Sequence, residues 1–145
     1  MFYTILLKSH TGLRWLLLLM FITTVVQLGR KAFGKADISV KTISLFTLIL
    51  AHIQLLIGLV LYFISPKVVF DASSMKDSIL RFYLVEHISL MIIAIIILTI
   101  GYSKSKQYFT IAKGAKKAFY YYLISLVLIL VSIPWPFRIP IAGWF

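Results

Sequence analysis

Residues 79–102 form a stretch long and apolar enough to cross a membrane, yet Glu86 and His87 stand side by side near one end of it. An ionisable residue held in hydrocarbon costs at least about 2.5–3.5 kcal/mol on insertion scales, so an acid there marks a functional site and needs a partner. The neighbouring imidazole is the more versatile group, able to ligate a metal or to carry a proton near neutral pH. With 61% hydrophobic and 13% charged residues, the chain as a whole lies far from a soluble globular composition. It reads as an integral membrane protein.

Three further apolar runs, at 12–28, 43–64 and 118–135, are near the length needed to span about 30 Å of hydrocarbon at about 1.5 Å per residue. The fourth reaches that length only by including Trp135. Ser65-Pro66 closes the second run, and Pro134-Trp135-Pro136 closes the fourth, because proline cannot continue a helix. The first run, preceded by a partly apolar lead at 2–7 that can lengthen it toward the surface, is followed by Arg30 and Lys31 and by no small-residue cleavage site, so it reads as an uncleaved helix. Four spans with short connections predict an all-α fold, one up-down-up-down transmembrane bundle over residues 1–145.

Lys and Arg accumulate on the cytoplasmic side of a membrane. Arg30, Lys31, Lys35 and Lys41 follow the first run, and Lys104, Lys106, Lys113, Lys116 and Lys117 follow the third. The opposite face holds Lys8, Arg14, Lys67, Lys76, Arg81 and Arg138 together with Asp71, Asp77 and Glu86. Both termini are therefore expected outside a plasma membrane, with Trp15, Tyr83, Trp135, Trp144 and Phe145 as an aromatic belt and residues 139–145 in the interface. The formal charge of +11 is assigned to topology and anionic lipid, not to nucleic acid.

The absence of cysteine excludes disulfides, thiolate-held clusters and covalently attached c-type haem. No phosphate-binding glycine loop or nucleophile with its base is present, which argues against hydrolases, kinases and ATPases. Histidine remains as the metal-ligating residue, and there are three. Counted from the outer edge, His10 lies at about 0–5 Å depth, His87 at about 8–12 Å and His52 at about 18 Å. A haem b between helices requires two imidazoles at similar depth, so His87 pairs with His10 or with His52. The competing roles are an interfacial, hydrated His10, a helix-packing hydrogen bond at His52, and a Glu86 partner at His87.

Arg14 follows His10 by one helical turn and shares its face. Its guanidinium suits a haem propionate, and Arg81 at headgroup level suits a second propionate or a lipid phosphate. Glu86 is then free to neutralise Arg14 or to serve a quinone or a proton path. On the second span Ser44, Thr47, Ala51, Gln54, Gly58 and Tyr62 make a small and polar stripe, and on the third His87, Ala94 and Gly101 recur every seven residues. Such stripes let membrane helices approach closely.

The segments Ser9-His10-Thr11-Gly12-Leu13-Arg14-Trp15, Ala51-His52-Ile53-Gln54-Leu55-Leu56-Ile57-Gly58, Leu80-Arg81-Phe82, Glu86-His87 and Ile133-Pro134-Trp135-Pro136-Phe137-Arg138 resemble those of short bacterial four-helix membrane proteins labelled cytochrome B. That resemblance implies haem b on helix histidines, with His10, His52 and His87 as the matching positions. A fainter likeness, in length, helix count and a histidine near residue ten, is to small membrane protoporphyrinogen oxidases. The rest of that family's pattern, including a lysine within the third helix, has no match here. The expected function is electron transfer by a haem-b protein of the bacterial inner membrane, exchanging electrons with a quinone or a periplasmic donor and docked in the bilayer or a larger membrane complex. Oxidation of a porphyrinogen or quinone, and a cofactor-free structural or assembly subunit, are the two alternatives.

Overall fold

Within lipid every backbone amide must find its partner inside the protein, so long runs of Leu, Ile, Phe and Val unbroken by proline are driven into helices. In the computed structural model, which describes residues 1–34, 36–139 and 142–144, four such helices form. They are α1 (Phe2–Phe33), α2 (Lys41–Ile64), α3 (Ser78–Tyr108) and α4 (Ala112–Ser132). All four are long and apolar enough to cross a membrane. Large apolar side chains cover their outer faces, Leu19 and Leu56 at 63% exposure among them, as a bundle solvated by lipid requires.

The ends of α1 and α4 differ from the sequence expectation. α1 incorporates the lead at 2–7, so His10 lies inside a helix and not ahead of one. Its 32 residues extend about 48 Å, well beyond the hydrocarbon thickness. α4 begins earlier, at Ala112, and stops at Ser132. Ile133 is extended, as a residue before proline prefers, and Trp135 is outside the helix. The length that the fourth span lacks at its end is recovered at its start, where Gly114 is needed: a Cβ there would collide with the Tyr108 carbonyl oxygen.

α3 is not a uniform α-helix. After one α-turn over Ser78–Arg81, residues Phe82–Glu86 wind as a π-turn, in which the His87 N–H reaches back to the Phe82 carbonyl, and α-helix resumes at His87. Asp77 caps the start by accepting from the Ile79 and Leu80 N–H groups. In the preceding loop the Ser73 hydroxyl and backbone N–H hold the Asp71 carboxyl below its ordinary range.

The helices pack in a ring, α1 on α2, α2 on α3, α3 on α4 and α4 on α1, which is the up-down-up-down arrangement. The tightest seam is α3–α4, where Gly101 lets the Tyr121 side chain lie against the α3 backbone. The loosest is α2–α3. Both predicted stripes face inward: Ser44, Thr47, Ala51 and Ala94 are fully buried. The Thr24 and Thr47 hydroxyls hydrogen-bond at 2.7 Å between α1 and α2, and the Tyr122 hydroxyl donates to the Ser44 carbonyl at 2.8 Å. These bonds and the core around Phe21, Leu28, Leu98 and Tyr122 fill the end of the bundle that carries the α1–α2 and α3–α4 loops. The opposite end is left open inside.

Candidate functional site: a cavity with two histidines

That open end contains a cavity of about 160 Å³, roughly ten times the space that one water centre requires. All four helices contribute to its wall, and its lining includes His10 and Arg14 from α1, Gln54 and Gly58 from α2, and His87 from α3. Apolar side chains such as Leu17, Met91 and Ile129 complete it. The two histidines expected at different depths therefore share one chamber. α1 and α3 are diagonal in the ring, which leaves space between them.

Each ring is fixed by a neighbour. His87 Nδ1 lies 2.7 Å from the Ser132 carbonyl oxygen. A carbonyl only accepts, so Nδ1 carries the proton and Nε2 presents a lone pair. This is the arrangement by which metal-ligating histidines are oriented. The acceptor exists because of the Pro134-Trp135-Pro136 stop. Residues 134 and 136 have no N–H to return to the carbonyls of Leu130 and Ser132. The Trp135 indole N–H takes the first, at 2.9 Å, the Arg138 guanidinium takes the intervening Val131 carbonyl, at 2.7 Å, and His87 takes the third.

His10 packs against Gly58 so closely that a Cβ on that glycine would be 3.0 Å from His10 Cε1. Gln54 Nε2 donates to the His10 backbone carbonyl at 2.8 Å, pinning α1 to α2 at the level of the ring. His10 Nδ1, Arg14 Nε and Gln54 Oε1 are buried without a hydrogen-bond partner. Three such groups beside one chamber are unusual, since buried polar atoms are nearly always paired.

Arg14 is 9% exposed. Its Nη2 donates to the Trp144 carbonyl at 2.8 Å, and the Trp15 indole N–H shares that acceptor at 3.2 Å. Trp15, Trp135 and Trp144 gather with ring centres 6.1–6.3 Å apart. The expected belt is thus a cluster at this end of the bundle, while Pro134, Ala142 and Gly143 from the same segment line the cavity. Ile139 and Ala142 turn inward onto Phe82, so the described part of the tail packs on the bundle, and Phe145 and Lys35 lie outside the described residues. The guanidinium also lies over the Trp15 ring, 5.1 Å from its centre, and among the described residues no carboxylate pairs with it.

The remaining sequence candidates lie elsewhere. His52 Nδ1 lies 2.8 Å from the Leu48 carbonyl one turn back, and Nε2 is 3.4 Å from the Thr99 hydroxyl at the α2–α3 seam. It does not line the cavity. Arg81 and Glu86 form an ion pair at 3.0 Å, with Arg81 Nη1 also donating to the Met75 carbonyl at 3.2 Å. Glu86 therefore neutralises Arg81 and not Arg14. On an α-helix residues five apart diverge by about 140°, whereas the i→i+5 ladder of a π-turn stacks them. The turn pairs the charges and sends the adjacent His87 inward.

Lys67 does line the cavity, with its ammonium 5.4 Å from the Tyr83 ring centre, whereas Arg81 does not. Sequence reading counted Lys67 only as a topology charge. It had no signal for the Ser132 and Trp144 carbonyls, because every residue has one. Among the described residues no three His, Cys, Asp or Glu side chains gather to hold a bare metal ion. No family model, curated protein or solved structure matches this chain.

Proposed function

We propose that the cavity is a haem-b site in a membrane electron-transfer protein, with His10 and His87 as the two imidazole ligands. The observation that carries this reading is that both rings line one chamber beside a buried Arg14 with no carboxylate partner among the described residues, and that His87 is oriented through Nδ1. The donor set fits the group. Two neutral imidazoles suit a haem iron, Arg14 and Lys67 suit its two carboxylates, and the rest of the wall is mostly apolar.

A bound haem supplies a one-electron couple. What the chain contributes is orientation, charge and the enclosing wall. The Ser132 carbonyl increases the basicity of the His87 imidazole and holds its ring plane. The guanidinium of Arg14, in a low-dielectric wall, disfavours additional positive charge in the chamber and so favours the reduced state. Ala142 and Gly143 of the folded-back tail close part of the wall. Neither Glu86 nor any other carboxylate lines the chamber among the described residues, so this reading assigns the protein electron transfer without a proton-handling acid.

The resemblance to short bacterial cytochrome B proteins supports the same reading, as does the segregation of lysine and arginine, which orients both termini outside a bacterial plasma membrane. A quinone or a periplasmic redox protein is the proposed exchange partner. The test is the absorption spectrum of the purified protein, expressed with ample haem and recorded oxidised and then reduced. Sharp low-spin bands that shift on reduction are expected, and the lack of a Soret band overturns the proposal.

A further inference from the structure

At the opposite end of the bundle a second cavity, of about 620 Å³, opens between the α1–α2 and α3–α4 loops. Lys31, Lys41 and Lys106 line it together with Ser39, Gln107 and Thr110. Lys31 is the unusual member. It is only 8% exposed, and its ammonium donates to the Ile38 carbonyl at 2.8 Å. The one carboxylate in the lining, Asp37, is 3.8 Å from that ammonium and fully exposed. A cation withdrawn from water is normally matched by a buried counter-charge. Here the match is partial, because Asp37 pairs with Lys31 at long range from the water side.

The backbone adds to the excess. α2 and α4 both start at this end, neither has a side-chain cap, and neither has an acidic residue in its first turn. Helix N-termini carry partial positive charge and favour anions. These two instead have Lys41 and Lys113 in their first turns. Lysines beside uncapped N-termini repel until an anion sits among them.

We infer that this cavity binds the phosphate group of an anionic lipid. Phosphate is the chemistry that answers three ammonium groups and two hydroxyls around one opening. The lipid source is favoured by what lies beside the opening: the exposed Leu45 and Phe46 run down α2 from Lys41, and the exposed Tyr108 and Ile111 flank Thr110. Acyl chains following those side chains place the headgroup phosphate at the lysines. The site stands independently of the haem reading, on the other side of the bundle core.

The test uses the full chain in a neutral detergent, titrated with phosphatidylglycerol and separately with inorganic phosphate, with bound lipid read by native mass spectrometry. Lys41 and Lys106 are exposed, so the double variant Lys41→Gln/Lys106→Gln keeps the fold, checked by its helical circular dichroism. The control Lys104→Gln/Lys117→Gln removes the same charge from the same end, at exposed residues outside the cavity lining. At about fivefold per lysine near an anionic surface, the cavity variant should lose phosphatidylglycerol affinity by about thirtyfold and the control by less than about threefold. Equal losses in both variants would mean a diffuse basic face, and would overturn the site. Displacement of the lipid by inorganic phosphate at equal concentration would overturn the lipid assignment in favour of a soluble anion.

Discussion

His87 on α3 is held by the carbonyl of Ser132, the last residue of α4, at 2.7 Å. One bond therefore links the ring proposed as a haem ligand to the proline-rich stop of another helix. A helix end ordinarily leaves its last carbonyls to water or to a cap. In this chain three consecutive ones are claimed by side chains of Trp135, Arg138 and His87, so closing the bundle and orienting the ligand are the same event.

The histidines should separate by position. His10→Ala and His87→Ala should each abolish the low-spin haem spectrum, because one imidazole leaves the iron five-coordinate or releases the group. His52→Ala should retain it, since that ring is engaged at the α2–α3 seam and polar interhelical bonds average only about 0.6 kcal/mol. Reduced-minus-oxidised spectra and haem-to-protein ratios decide this. A His87→Ala protein with normal low-spin bands contradicts the assignment.

Arginine variants should separate in the same way. Arg14→Gln leaves the Trp144 carbonyl and an anionic ligand without their cation, and loss of a charge-assisted bond corresponds to a roughly ten- to hundredfold fall in haem affinity. Arg81→Gln and Glu86→Gln should leave haem content unchanged and shift stability by about 0–1 kcal/mol, because that pair is more than a third exposed. Haem titration of the apo-protein and thermal unfolding measure both effects. If Arg81→Gln releases haem while Arg14→Gln does not, the cation assignment is reversed.

Gly58 provides a graded test of the His10 position. Its absent Cβ would lie 3.0 Å from His10 Cε1, so Gly58→Ala should move the ring by a few tenths of an ångström and Gly58→Val by more. Overpacking of this kind costs about 1–3 kcal/mol. We expect the alanine variant to keep haem with altered low-spin electron paramagnetic resonance g values, and the valine variant to lose the low-spin signal. Unchanged spectra in both would place the ligand elsewhere than on His10.

Hydropathy and proline placement were sufficient to read four membrane-length helices and their ring order, because lipid leaves a chain of this composition no other way to satisfy its backbone. The inward stripes of α2 and α3 were equally legible, being a matter of helical period. The i,i+4 relation of His10 and Arg14 was local too, and both line the cavity. The choice among three histidines was not local. It depended on a π-turn that rotates α3 by a fraction of a turn, on a helix start at Phe2 that draws His10 into the bundle, and on carbonyls freed by Pro134 and Pro136 at a distance of 45 residues or more. Glu86 and His87 are adjacent in sequence, yet one meets Arg81 and the other faces the chamber. Sequence pattern determines which residues share a helix face, whereas which faces meet, and which backbone acceptors lie between them, depends on packing across the whole bundle.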